Sequence, residues 1–124
     1  MDRVWLALGA VYGFAAVALG AFGAHALKGR LSPDFAAAYQ TAVQYQFYHA
    51  LALLAVGILA GRNASSTLNF SGAAFALGVL LFSGSLYALS LTGVRAFGAI
   101  TPVGGALFLL GWAALIYSIL NSRN

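Results

Sequence analysis

Four long apolar runs, separated by short polar segments, dominate the sequence. The first run, residues 4–24, carries no charge, and about 20 apolar residues are enough for a helix to cross a hydrocarbon core of about 30 Å. Allowing for helix ends, the runs predict spans at about 4–26, 42–61, 70–92 and 100–120. We therefore expect an all-α integral membrane four-helix bundle in which residues 1–124 form a single transmembrane domain.

The first run has a second interpretation, because Ala24-His25-Ala26 resembles the cleavage site of a signal peptide. The apolar core of a signal peptide is about 7–15 residues long, which is shorter than the run observed. We therefore interpret the run as a helix that is retained in the membrane.

The second span is preceded by a polar extension. Ser32, Pro33 and Asp34 suit the start of a helix, as N-cap, first residue and acidic first turn. Residues 33–45 either continue the second span outwards or form a separate helix in the interface. By the same logic Thr101 is expected to cap the fourth helix, with Pro102 as its first residue.

Small residues recur along the first span at steps of four and three, at Gly9, Gly13, Ala16, Gly20 and Gly23. This spacing places them on one helical face. In lipid, small residues let backbones approach closely, so that packing can hold helices together. We expect this face to pack against the second helix, which carries His49.

Composition strengthens the membrane interpretation. The chain is 62% hydrophobic and only 6% charged, whereas about a quarter of the residues in soluble domains are charged. Its net charge of +4 comes from cations scattered between the apolar runs, so we expect membrane lipids and no nucleic acid as partners. Orientation stays undetermined, because three cations fall on each side: Arg3, Arg62 and Arg123 against Lys28, Arg30 and Arg95.

Candidate chemistry is sparse. The chain has no cysteine and two carboxylates, Asp2 and Asp34, which fall on opposite sides of the membrane. We therefore expect no enzyme, no metal site and no cofactor. One candidate site remains, a polar patch at the ends of the first two helices: His25, Lys28, Arg30, Tyr45, Tyr48 and His49.

The two histidines of this patch allow three interpretations. Because α-helical neighbours joined by a short loop run antiparallel, we expect His25 and His49 at similar depth, which the haem interpretation requires. Each imidazole is satisfied by a nearby carbonyl, hydroxyl or headgroup. Alternatively, they join a polar network that lines a cavity for a proton, a lipid headgroup or a solute. The third interpretation is bis-histidine ligation of haem inside the bundle.

Three blocks of the sequence, residues 20–27, 39–51 and 97–105, resemble those of a family of small membrane proteins of unknown function. The family is domain of unknown function 423, with bacterial YgdD-like and animal transmembrane protein 256-like members. The resemblance implies a four-span inner-membrane protein and supplies no activity. Its signature maps onto nine positions: Gly20, Gly23, His25, Tyr45, His49, Thr101, Pro102, Gly104 and Gly105. We assign helix packing to Gly104 as well.

We expect a non-catalytic structural or lipid-interacting module of the bacterial inner membrane. A small channel or transporter subunit, acting as a homo-oligomer, is the alternative, and a haem redox module is the third.

Overall fold

The computed structural model describes residues 2–122, which form four long helices. These are α1 (Asp2–His25), α2 (Pro33–Arg62), α3 (Ser66–Thr92) and α4 (Thr101–Leu120), and a short 3₁₀ helix, Arg95–Ala99, leads into α4. Residues 2–122 contain no strand, and each long helix is apolar and long enough to cross a membrane. The prediction of an all-α four-helix membrane bundle is confirmed. Arg123, counted above for orientation, lies outside the described residues.

The inner pair of the bundle is α2 and α3. They pack on each other, α1 packs on α2, and α4 packs on α3, whereas α1 and α4 share no substantial interface within residues 2–122. Ten residues are buried in each inner helix, against three in α1 and five in α4. The core centres on Leu53, Val56 and Phe75, which are fully buried. The two outer helices therefore present most of their surface to lipid.

Aromatic rings seated over glycines hold the outer helices close to the inner pair. Trp5 of α1 lies over Gly72 of α3, where an added Cβ would come within 2.6 Å of the indole. Phe75 of α3 lies over Gly111 of α4, where a Cβ would come within 2.7 Å of the ring. At such distances even a methyl group would force the facing ring to shift, so the glycines allow the helices to pack this closely.

The extension before the second span is part of one unbroken helix. Ser32 caps it as expected, since its Oγ accepts a hydrogen bond from the amide of Phe35 at 3.2 Å, and Pro33 is the first helical residue. At about 1.5 Å per residue the 30 residues of α2 span about 45 Å, well beyond the hydrocarbon core. Because Tyr39 lies opposite Gly23, near the end of α1, the excess projects at the end that carries Lys28.

The start of α4 differs from the prediction. Thr101 is already helical, and its side chain caps nothing; Ile100 is the N-cap, and its carbonyl accepts the amide of Val103 at 3.0 Å. The expectation that Thr101 caps the helix is wrong, because the preceding 3₁₀ helix runs directly into α4. The Thr101 hydroxyl instead lies 2.6 Å from that of Ser85 on α3 and ties the two helices together.

Candidate functional site

Four glycines of α1 line its contact with α2: Gly9, Gly13, Gly20 and Gly23. A Cβ on Gly9 would lie 2.8 Å from the carbonyl oxygen of Ala50, and one on Gly23 would overlap the ring of Tyr39. These contacts place the small-residue face of α1 against the helix that carries His49. They also fix the relative depth of the two helices, because Gly9 is level with Ala50 and Gly23 with Tyr39.

Gly104 has the corresponding position between α4 and α3. A Cβ there would overlap the backbone of Phe82 and lie 2.7 Å from its Cα. The neighbouring Gly105 is different, since its nearest contact is the Phe82 ring at 3.9 Å. The backbones of α4 and α3 are thus in close contact at Gly104.

A groove of about 310 Å³ opens where α1 ends and α2 begins. Its walls come from α1, the connecting loop and α2: Gly20, Gly23, Ala24, Leu27, Lys28, Gly29, Leu31, Ala36, Tyr39, Gln40 and Val43. We call it the Lys28 groove. Gly20, Gly23 and Ala24 form its α1 wall, which is therefore mostly backbone and leaves the space open.

Tyr39 forms the rigid side of the Lys28 groove. It is buried, its ring lies on Gly23, and its hydroxyl donates to the carbonyl of Leu19 at 2.5 Å. The Tyr39 ring also packs edge-on against Tyr87 of α3, with centroids 5.4 Å apart. Three helices therefore hold this wall, and the groove is part of the packed bundle.

The electrostatics of this end are positive. Lys28, Arg30 and Arg95 belong to its two loops, and Asp34 is the one carboxylate in the segments 26–34 and 93–100. The guanidinium of Arg95 lies over the ring of Phe35, 5.2 Å from its centroid. Lys28 is exposed and lines the groove, so its ammonium is available to an anion at the membrane surface.

The structure divides the predicted polar patch into three parts. His25, Lys28 and Arg30 lie together at the exposed end of α1, whereas Tyr45 and Tyr48 are exposed along α2 and His49 is buried. The expectation that His25 and His49 share a depth is wrong. His25 follows Gly23, which is level with Tyr39, and Tyr39 precedes His49 by ten residues of helix, or about 15 Å.

His49 is satisfied inside the protein. Its Nε2 lies 3.1 Å from the indole nitrogen of Trp112 on α4, and its Nδ1 lies 2.7 Å from the carbonyl oxygen of Tyr45. An indole N–H can only donate, so Nε2 accepts. The proton therefore sits on Nδ1, which donates to Tyr45. Both nitrogens of a neutral imidazole are used, and neither is free to ligate haem.

An aromatic layer encloses this imidazole. The ring of Phe108 stacks on His49 at a centroid distance of 3.6 Å and an angle of 5°. Phe75 packs on the imidazole at 5.4 Å, and Trp112 packs edge-on against Phe75 at 5.0 Å. Stacked and edge-on pairs of this kind add to the stability gained by burial alone. His49 thus joins α2 to α4 as a packing element.

A second polar cluster, centred on Gln46, was not identified from the sequence. The Gln46 amide donates to the carbonyl of Tyr12 at 2.9 Å and accepts from the hydroxyl of Tyr87 at 2.6 Å. The hydroxyl of Tyr12 in turn donates to the carbonyl of Ala76 at 3.0 Å. The cluster joins α1, α2 and α3. One sequence signal pointed to it, the spacing of Tyr39, Gln46, His49 and Leu53 on one helical face.

The hydrogen bonds of these clusters end on backbone carbonyls. The chain from Tyr87 through Gln46 stops at the carbonyl of Tyr12, and the Tyr39 hydroxyl stops at Leu19. A backbone carbonyl accepts a hydrogen bond but has no proton to pass on. The arrangement ties the helices together.

Taken together, the fold and this site define an integral membrane protein with four α-helical spans, a hydrogen-bonded core and a positively charged groove at one end. Among proteins of that class, the family of unknown function DUF423 matches residues 19–105 of this chain. The chain belongs to this family, as its resemblance to domain of unknown function 423 had indicated.

Its relatives include bacterial membrane proteins. A UPF0382 membrane protein of Staphylococcus epidermidis is 46% identical over 119 residues, covering 96% of this chain and 97% of the relative. The UPF0382 membrane protein YwdK of Bacillus subtilis is 42% identical over 115 residues, covering 92% of this chain and 94% of YwdK. No solved structure matches the chain. The prediction of an integral membrane protein of a bacterial family is confirmed.

Proposed function

We propose that the protein is a non-catalytic, lipid-interacting module of the membrane, and that the Lys28 groove binds an anionic phospholipid. One observation carries the proposal. The groove is an apolar cleft of about 310 Å³ at the end of a span, with a single exposed cation among its lining residues.

The chemistry of the groove matches the two parts of a phospholipid. Its inner wall, formed by Gly20, Gly23 and Val43, is backbone and hydrocarbon, which suits an acyl chain. Lys28 lies where α1 has ended and so reaches the headgroup layer, which suits a phosphate. Each basic residue at a membrane surface favours anionic lipid by about 1 kcal/mol.

The transport alternative lacks such support. It requires a polar path through the bundle, yet the buried hydroxyls of Tyr39, Ser71 and Ser83 each donate to a carbonyl of a neighbouring helix. His49 does not line the Lys28 groove, the groove at Arg62 or the outer groove between α1 and α2. These three hydroxyls therefore join neighbouring helices.

The test is lipid binding by variants in nanodiscs, measured by native mass spectrometry with phosphatidylglycerol against phosphatidylcholine. Lys28→Ala should weaken phosphatidylglycerol binding about fivefold, which corresponds to the loss of about 1 kcal/mol. Binding of phosphatidylcholine should change little. Arg3→Ala removes the same charge at the opposite end and serves as the control.

Filling the groove tests the apolar half of the site. Ala36→Leu adds a side chain to an exposed lining position of α2, and Ala37→Leu adds the same side chain at an exposed position outside the lining. Only Ala36→Leu should reduce retention of lipid. Equal binding by both leucine variants, together with full binding by Lys28→Ala, would show that the groove holds no lipid.

A further inference from the structure

One face of α2 carries polar side chains towards lipid. Gln44, Tyr48, Leu51, Ala55 and Ile58 are all exposed and follow one another at steps of four, three, four and three residues. This spacing places them on one face of the helix. We call it the Gln44 face. It belongs to α2, one of the two inner helices.

The Gln44 face lies within the apolar layer. Gln44 is next to Val43, and Val43 is level with Gly20 of α1. Gly20 lies about 7 Å along the helix axis from the end of α1, so Gln44 lies at a similar depth. Tyr48 lies deeper, because Ala50 is level with Gly9 and Gly13 of α1. The Tyr48 side chain is 53% exposed. Tyrosine in membrane proteins is enriched at the interfaces, so a phenol at this depth faces an unfavourable solvent.

These polar groups have no hydrogen-bond partner in residues 2–122, unlike Gln46 and Tyr12. Tyr48 has only a ring contact, with Tyr45 at 5.6 Å. Acyl chains cannot satisfy an amide or a phenol, and leaving such groups unpaired in hydrocarbon is costly. Glutamine and tyrosine both donate and accept, so two copies of this face supply what each one lacks.

We propose that the Gln44 face is the interface of a homodimer, in which α2 packs on α2 of a second copy about an axis along the membrane normal. Gln44 and Tyr48 hydrogen-bond across the interface, and Ala55 lets the two helices approach. Each copy contributes two polar side chains that can both donate and accept hydrogen bonds, one small residue, and apolar residues along the rest of the face.

The chain has no cysteine, so single cysteines report contact directly. Leu51→Cys should form a disulfide-linked dimer on mild oxidation in bilayers at low protein-to-lipid ratio. Val11→Cys, exposed on the outer side of α1, is the control and should stay largely monomeric. Equal cross-linking at both positions would overturn the proposal, and so would single-molecule photobleaching that shows the wild type to be monomeric. Either result would mean that lipid or another protein covers the Gln44 face.

A second variant tests the hydrogen bonds. In the Leu51→Cys background, the double change Gln44→Leu with Tyr48→Phe should weaken dimerisation at least about tenfold. The phenyl ring keeps the contact with Tyr45, so the thermal unfolding midpoint of the monomer should not fall. An unchanged dimer would show that these two side chains do not hold it together.

Discussion

Gln46 and Gln44 are the same residue two positions apart on one helix, and they have opposite surroundings. Gln46 is 4% exposed; its amide donates a hydrogen bond to the carbonyl of Tyr12 on α1 and accepts one from the hydroxyl of Tyr87 on α3. Gln44 is exposed and has no hydrogen-bond partner in the described part of the chain. Polarity therefore does not indicate which face of a membrane helix is buried; the partners of each side chain do.

Gly104 and Gly105, which are adjacent in α4, are a second pair of identical residues with different surroundings, and they give the largest expected effect. Gly104→Ala should lower the free energy of unfolding by up to about 3 kcal/mol, because the new methyl group overlaps the backbone of Phe82. Gly105→Ala has room and should be neutral or slightly stabilising. Unfolding in mixed micelles measures both, and similar losses would contradict the close approach at Gly104.

The next largest effect is expected for the two glutamines. Gln46→Leu leaves the hydroxyl of Tyr87 without its acceptor and should cost about 2 kcal/mol of monomer stability. Gln44→Leu should cost the monomer nothing. The measurement is unfolding under conditions that keep the protein monomeric. If the two variants lost equal stability, the buried cluster would contribute no more than the exposed face.

The smallest effect is the coupling between His49 and Trp112. Their single hydrogen bond of 3.1 Å should appear as a coupling energy of about 0.6 kcal/mol in a double-mutant cycle of His49→Phe and Trp112→Phe. Both substitutions retain an aromatic ring in the layer around Phe108, so packing is largely preserved. A coupling energy of zero would mean that the histidine acts through stacking alone.

Much of the fold could be predicted from the sequence, because charges and short polar segments delimit the spans. Ser32-Pro33 marked the start of α2 correctly. Thr101-Pro102 has a similar pattern, but the prediction made from it was wrong. The residues before it form a 3₁₀ helix, and Ile100, which follows that helix directly, is the N-cap of α4. A cap depends on the conformation of the preceding residues, which a dipeptide does not reveal.

The candidate site was harder to predict. The spacing of small residues along α1 indicated a packed glycine face. The Lys28 groove, however, depends on the contact between Tyr39 of α2 and Gly23 of α1, which forms one of its sides and joins two helices. His25 and His49 were grouped because their helices are antiparallel neighbours joined by a short loop. Their separation follows from the register of α1 on α2, which the sequence pattern leaves undefined.

The dependence of α2 on its neighbours also has a consequence for biogenesis. It is the least hydrophobic of the four spans, and its buried polar groups are satisfied by Tyr12, Tyr87 and Trp112, which belong to three different helices. A lone α2 leaving the translocon would carry these groups unsatisfied into lipid. Only three residues separate it from α3, so the two can enter as a hairpin. On this argument, stable insertion of α2 requires α3, and α4 supplies the last partner of its buried polar groups.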